Sequence, residues 1–445
     1  MDSLLPYAIL DTVLFIVAGL LLVQRGAFWH PLTMYLVFHG YTVTWRIWEL
    51  ALGLSLPMYT NQVGRDSITF DEIARGILMA DASLVIFCLG CWLAYNRFHS
   101  AIPVPVLRRP ISATIVTGVC IFCLPLGAFA LISFQGGNFS DNFFTQTNYF
   151  QVMTMWPIGC LGMLVFVYGF RTILLVPIAA YLLMVGTQGY HRFMLILPML
   201  FFTSLYLQRS GRRWPGLVFL VPLFLLFTVF PVLKHVGRAV QNGDNQEAAR
   251  LIAASISGKD GFEELSKNEA FLDQFSGALS LVDDTEKKFR GSTYVAIITL
   301  PVPRTLWRGK PGLADHLADI STTVRPYQQE GRVITYIGES YLNFRHAGVI
   351  IVPFLLGLWL TSWCMRATAG PFPRFERYLY CAFSISFLQL YRDGLTSLVV
   401  FTICHNLPMV FVWFLHSVPG FAPKVLDAPG DQVAMTERPD LSPNS

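Results

Sequence analysis

Between positions 301 and 311 the chain reads Pro-Val-Pro-Arg-Thr-Leu-Trp-Arg-Gly-Lys-Pro. Prolines restrict the backbone at three of these positions, while Arg304, Arg308 and Lys310 present three cations within seven residues. Arginine grips phosphate oxygens in pairs and lysine adds a point charge. A preorganised cationic segment of this kind suits an anionic lipid headgroup such as a diphosphate. A basic loop that merely touches ordinary anionic lipid has the same composition. Downstream come His316, Arg325, Arg332 and the run Gly338-Glu-Ser-Tyr-Leu-Asn-Phe344. A carboxylate at Glu339 could accept a proton from a sugar hydroxyl, or it could pair with Arg304 or Arg332 and hold the segment together. Two short connections carry one cation each: Arg192 after Gly186-Thr-Gln-Gly189-Tyr-His191, and Arg392 before Asp393-Gly394. Such arginines often snorkel to a membrane interface. On the same side as the basic segment, they could instead converge with it on one anion.

The elements that must position these groups are apolar helices. Apolar residues make up 54% of the 445 positions and charged residues 13%, about half the share usual in soluble proteins. Mean hydropathy is +0.51. A water-soluble fold could not hide that surface, so the expectation is an all-α polytopic membrane protein. The net charge of +4 is too small to suggest a nucleic-acid partner. Apolar runs at 4–23, 32–52, 76–95, 111–134, 153–170, 172–189, 193–207, 217–233, 349–364, 378–391 and 395–415 give about eleven spans. The sixth, seventh and tenth are short and need polar flanking residues to complete them. The division expected is therefore 1–233 with eight spans, 234–346 as one large external loop, 347–416 with three more, and 417–445 as a disordered polar tail.

Basic residues set the orientation. Alternate connections carry Arg25; Arg97, Arg108 and Arg109; Arg171; Arg209, Arg212 and Arg213; and Arg366, Arg374 and Arg377. The opposite short loops hold only Arg65, Arg75, Arg192 and Arg392. This places the N-terminus outside and the C-terminus in the cytoplasm. The 113-residue connection 234–346 is then external and too long for an idle loop. Leu265, Leu272, Phe275, Leu279 and Val282 recur near every 3.5 residues, which predicts an amphipathic helix on the membrane or the bundle. Its first half, 234–286, holds five basic and ten acidic residues, and its second, 287–345, nine basic and four acidic.

Asp11, Arg46, Glu49 and Asp81 fall inside the first three spans, about 10 Å from the external ends at 1.5 Å per residue. Charges in lipid normally pair within the bundle. An ion pair of Arg46 with Asp11 or Asp81 is expected, with an ion or proton pathway as the sharper alternative. His39 and His405 read as helix–helix hydrogen-bonding residues. The eight cysteines all lie in apolar runs, and two pairs have C-x-x-C spacing without polar ligands nearby, so they read as small apolar residues. Walker A, H-E-x-x-H, dinucleotide-binding glycine and D-x-D patterns are missing from the sequence. No cofactor or metal is expected.

This layout resembles the Wzy-type polymerases of bacterial O-antigen and exopolysaccharide repeat units. The likeness rests on Pro303-Arg304-x-x-Trp307-x-x-Lys310-Pro311, on Gly338-Glu339-x-Tyr341-x-Asn343-Phe344, and on the external Arg192 and Arg392. It implies a GT-C-like membrane glycosyltransferase in the bacterial inner membrane. Its substrate would be an oligosaccharide on a polyprenyl diphosphate, and its partners a flippase and a chain-length regulator. The resemblance further implies that Arg192, Arg304, Lys310 and Arg392 bind the diphosphate, with Arg308 and Arg332 supporting. Glu339 would be the first candidate for the base and His316 the second. An O-antigen ligase or a transporter of lipid-linked oligosaccharide is the competing expectation.

Overall fold

The computed structural model describes residues 4–54, 68–99, 112–133, 153–187, 193–216, 243–257, 271–284, 289–299, 335–368, 375–395 and 400–418, together with 236, 239 and 307. The described residues form helices and turns and no strand. In chain order the helices are α1 (Leu5–Arg25), α2 (Pro31–His39), α3 (Trp45–Ala51), α4 (Phe70–His99), α5 (Ala113–Ser133), α6 (Trp156–Tyr168), α7 (Thr172–Thr187) and α8 (Phe193–Arg209). Then follow α9 (Asn245–Ser257), α10 (Phe271–Asp284), α11 (Ser292–Thr299), α12 (Thr335–Phe344), α13 (His346–Thr368), α14 (Phe375–Asp393) and α15 (Leu407–Ser417).

Four of these, α1, α4, α5 and α13, are long and apolar enough to cross a membrane, and α6, α7, α8 and α15 are apolar but shorter. The run expected at 32–52 is split: a π-helical turn, Gly40–Thr44, separates α2 from α3. The run expected at 217–233 lies outside the described residues, as does the tail beyond 418. On α1 the large side chains Ile9, Val13, Ile16, Val17 and Leu20 point outward while Ala8, Asp11, Ala18 and Leu22 are buried. An apolar outward face with small and polar residues inside is the pattern of a helix solvated by lipid. At its start α4 is closed by a reciprocal cap: Thr69 N–H donates to Glu72 Oε2 at 2.8 Å, and Glu72 N–H to Thr69 Oγ1 at 3.3 Å.

The tightest packing joins α4 to α13. A β-carbon on Gly90 would lie 2.9 Å from Leu358 N and closer to Phe354 O, and one on Gly357 would lie 3.3 Å from Cys91 N and closer to Phe87 O. Only glycine lets the two backbones approach this closely. In lipid, where no hydrophobic force drives helices together, such van der Waals contact is what stabilises the pair. Thr361 adds a hydroxyl bond to Cys91 Sγ at 3.1 Å. The described cysteines carry no disulfide.

Beside this crossing, Tyr35, Phe87, Tyr336 and Tyr391 form a fully buried aromatic cluster. The Tyr35 ring lies 4.8 Å from the rings of both Phe87 and Tyr391. Burying phenols requires partners for their hydroxyls. Tyr35 donates to Ser83 Oγ at 3.1 Å, Ser83 meets Tyr336 Oη at 2.7 Å, and Tyr391 donates to Pro31 O at 3.1 Å. Tyr336 belongs to α12, so the returning part of the 234–346 connection enters the bundle instead of lying wholly on its surface.

The two ends of the bundle differ in chemistry. At one end Phe28 N–H donates to Arg213 O at 2.9 Å, Tyr95 Oη to Arg25 O at 2.9 Å, and Arg377 Nε to Gln208 Oε1 at 3.0 Å. Connections rich in arginine thus share that end. Helices α10, α11 and α12 of the long connection gather at the other.

Candidate functional site

The amphipathic helix expected from Leu272, Phe275 and Leu279 is α10, and those three side chains are buried against the bundle. Leu265 and the side chain of Val282 lie outside the described residues. Contact with α4 is close enough that a β-carbon on Gly76 would collide with Ser276 Oγ. The polar edge of α10 is fastened by ions at both ends. Asp273 accepts from Arg46 Nε at 3.0 Å and from Arg46 Nη2 at 2.7 Å, a bidentate pair buried on both sides. Arg46 also reaches Glu49 Oε2 at 3.0 Å. This corrects the expected pairing of Arg46 with Asp11 or Asp81, because those two carboxylates face His39 instead. The amphipathic helix, not the neighbouring spans, supplies the bidentate counter-ion of Arg46.

At its other end, α10 presents Asp283 to Tyr341 of α12. Tyr341 Oη donates to Asp283 Oδ1 at 2.6 Å and accepts from Arg75 Nη2 at 2.6 Å. Arg345 Nη1 donates to the same Asp283 oxygen at 3.1 Å, and Arg75 forms an ion pair with Asp283. Both guanidiniums also lie over the Tyr341 ring, at 5.6 and 5.7 Å from its centroid. Burial alone would raise the Asp283 carboxyl, but the Tyr341 hydroxyl and the two cations outweigh it and hold the group below the usual carboxylate range. Burial, and then the bond to Asp283, pushes the Tyr341 phenol up.

Glu339 sits on the opposite side of α12 and is buried. Its Oε1 accepts from the Thr293 hydroxyl at 3.0 Å and its Oε2 from the Leu395 N–H at 2.7 Å. One turn on, Asn343 Nδ2 donates to Thr293 Oγ1 at 2.6 Å, while its Oδ1 accepts from Gly291 N–H at 3.0 Å. Tyr294 Oη donates to Ser340 Oγ at 3.1 Å. Burial, then the charge of Glu339, pushes the Tyr294 hydroxyl up. Residues 339, 340 and 343 therefore form one polar stripe that holds the start of α11. The backbone there turns through Arg290 and Gly291, at φ 47° and 87°.

Leu395 immediately follows the Arg392-Asp393-Gly394 turn, so Glu339 and that turn are in direct contact. Gly394 has φ 91°, and a β-carbon on it would lie 3.1 Å from Glu339 Cδ. The Arg392 guanidinium lies 5.6 Å from the Phe271 ring of α10, with Nε 3.5 Å from Asp393 Oδ1. Of the residues expected in the site, Glu339 and Arg392 are thus brought to the same end of the bundle. Trp307 is exposed. Arg192, Arg304, Arg308, Lys310, His316 and Arg332 lie outside the described residues. Arg75, Asp283, Thr293 and Arg345 join the cluster without having been singled out for it. For Arg75, position on a sparsely basic short connection was the available signal, and for Arg345, membership of the basic second half of the long connection.

The class defined is an all-helical protein with several helices able to cross a membrane and a polar, ionic cluster at one end. No family model, curated protein or solved structure matches the chain.

Proposed function

We propose that this chain is a membrane glycosyltransferase of the Wzy type. It joins polyprenyl-diphosphate-linked oligosaccharide repeat units at the outer face of the bacterial inner membrane, using about eleven spans in a GT-C-like arrangement with the N-terminus periplasmic and the C-terminus cytoplasmic. In the transfer, the bond between the anomeric carbon and the carrier diphosphate breaks and a bond to the acceptor sugar oxygen forms. The hydroxyl proton passes to a base and the lipid diphosphate leaves. Cations already aimed at that diphosphate stabilise its developing charge more than the ground state. Arg192, Arg304, Lys310 and Arg392 take this role, supported by Arg308 and Arg332.

The observation that carries this reading is the Glu339–Leu395 hydrogen bond, which ties the carboxylate to the turn bearing Arg392. A base and a diphosphate-binding cation are needed within one substrate's reach. The Thr293 hydroxyl, 3.0 Å from Glu339 Oε1, marks the bond that an acceptor sugar hydroxyl would take over. His316 is the second candidate for the base.

The test is a gel of lipid-linked and surface glycans from a deletion strain, complemented with wild type, Arg304→Ala, Arg392→Ala or Glu339→Gln. Expected is single-repeat product in the deletion, a ladder with wild type, and no ladder with the variants at equal membrane abundance. Full-length polymer from both arginine variants sinks the assignment of those cations. Long lipid-linked chains that are never attached indicate a ligase, and a strain with no external repeats indicates transport.

A further inference from the structure

We propose that Asp11, His39 and Asp81 form a site for a divalent transition-metal ion of the zinc class, inside the bundle and apart from the polar end cluster. The three residues come from α1, α2 and α4 and are all buried. One ligand atom from each lies within 4.8 Å of the others. His39 Nε2 is 2.7 Å from Asp11 Oδ1 and 3.6 Å from Asp81 Oδ1. Donors bound tetrahedrally at about 2.0 Å from zinc lie roughly 3.3 Å apart. Opening the first contact by about half an ångström and drawing the wider separations in toward the same value gives a mixed nitrogen–oxygen triad, with a fourth position left for water.

Three buried oxygens give the second argument. Both oxygens of Asp81 and Oδ2 of Asp11 accept no hydrogen bond from any donor, although the residues are only 3% and 0% exposed. The two carboxylates lie within hydrogen-bond reach of each other, so a cation or a shared proton must sit between them. Orphaned buried carboxylate oxygens are costly anywhere and more so at membrane depth. Arg46, the cation nearest in sequence to His39, is bonded to Asp273 and Glu49. Two carboxylates and a neutral imidazole around a divalent ion sum to zero charge, so the complex fits a low-dielectric interior. An imidazole donor favours zinc-like ions over magnesium or calcium, which take oxygen ligands.

The centre would tie together the two helical segments that hold α10. The π turn after His39 leads directly to Arg46 and its pair with Asp273. From Asp81, α4 runs back to Gly76 and Arg75, against Ser276 and Asp283. Metal binding therefore clamps the platform on which the connection's helices sit, whatever reaction that end supports.

The experiment uses the full chain purified in detergent without a polyhistidine tag or chelator. Elemental analysis and titration with Zn²⁺, and with Co²⁺ followed by its visible absorption, are expected to give one ion per chain. Zn²⁺ is expected to raise the melting temperature of wild type. Asp81→Asn and His39→Gln each lose the ion and the thermal response, while the Cys88→Ala/Cys91→Ala double variant keeps both. Absence of stoichiometric uptake by wild type overturns the proposal, and so does uptake that survives in both Asp81→Asn and His39→Gln. Wild type without metal, together with an Asp81→Asn variant that melts higher, would mean that the cluster holds only protons.

Discussion

The Arg46–Asp273 pair makes the docking of α10 measurable. Both partners are buried, at 5% and 0% exposure, and two bonds of 3.0 and 2.7 Å join them. Converting Asp273 to Asn keeps the shape and leaves a buried guanidinium short of its main counter-charge. Breaking one side of such a pair costs about 3–5 kcal/mol. Glu49, still 3.0 Å away, keeps the loss near the lower figure. At about 1.4 kcal/mol per decade, about 3 kcal/mol is roughly a hundredfold shift toward undocked α10. Ser276→Cys provides the reporter, because its hydroxyl is fully buried against α4 and cysteine has nearly the same size. When docking equilibrates faster than labelling, the rate of modification by a membrane-impermeant maleimide follows the undocked fraction. It should rise about a hundredfold in Asp273→Asn. Replacing both partners by apolar residues, as in Arg46→Met/Asp273→Leu, removes the charge and its desolvation together, so labelling should return to within about tenfold of the parent. If the single variant labels no faster than the parent, or the double variant as fast as the single, the pair does not hold α10.

Three further outcomes follow from the geometry. Gly357→Val places branched carbons against the Phe87 backbone, and the protein should fail to accumulate in membranes, whereas Gly118→Val, which meets open space, should accumulate normally on immunoblots. Gly394→Ala must hold a side chain at φ 91° and push Glu339 off Leu395. About 1–2 kcal/mol of backbone strain plus the lost bond should lower the melting temperature and shorten the glycan ladder, with Arg392 itself intact. The Asp283 carboxyl is held below its ordinary 3.8, so the folded state binds fewer protons than the unfolded state between those two values. Its stabilisation is full above about pH 4 and is lost as pH falls through the lowered value. Hydrogen exchange of α10 amides, corrected for intrinsic rates, should accelerate below that point in wild type and stay flatter in Asp283→Asn.

What the sequence discloses depends on range. The stripe of α10 is a local pattern, and Leu272, Phe275 and Leu279 face inward as it implies. The apolar runs are local too, and among the described residues four appear as helices long enough to cross a membrane and four as shorter apolar helices. The stripe does not say what its polar edge will meet. Arg46 and Asp273 are 227 positions apart, and a reading confined to the spans assigned Arg46 to the carboxylates it could see there. Glu339 stands out in the sequence as a carboxylate within a motif, but Thr293, which bonds it, is one hydroxyl in a stretch that carries no motif. That α12 would be buried to its aromatic core could not be read from a motif placed in an external connection. The π turn after His39 was equally silent, since a continuous apolar run does not reveal where an extra residue enters the helix.

The glycine crossing of α4 and α13 has a consequence for the order of assembly. Thr361 and Cys91, bonded across it, are separated by 270 positions. While the chain is being synthesised, α4 enters the bilayer long before the helix that fits its groove exists. Until then the face bearing Gly90 must be solvated by lipid tails or by a temporary neighbour. The spans between α4 and α13 must also find places that leave the groove open. Completion therefore waits on a late, long-range event, and the newborn chain passes through a stage in which its first half is inserted but its central helix is still unpaired along its most closely fitting side.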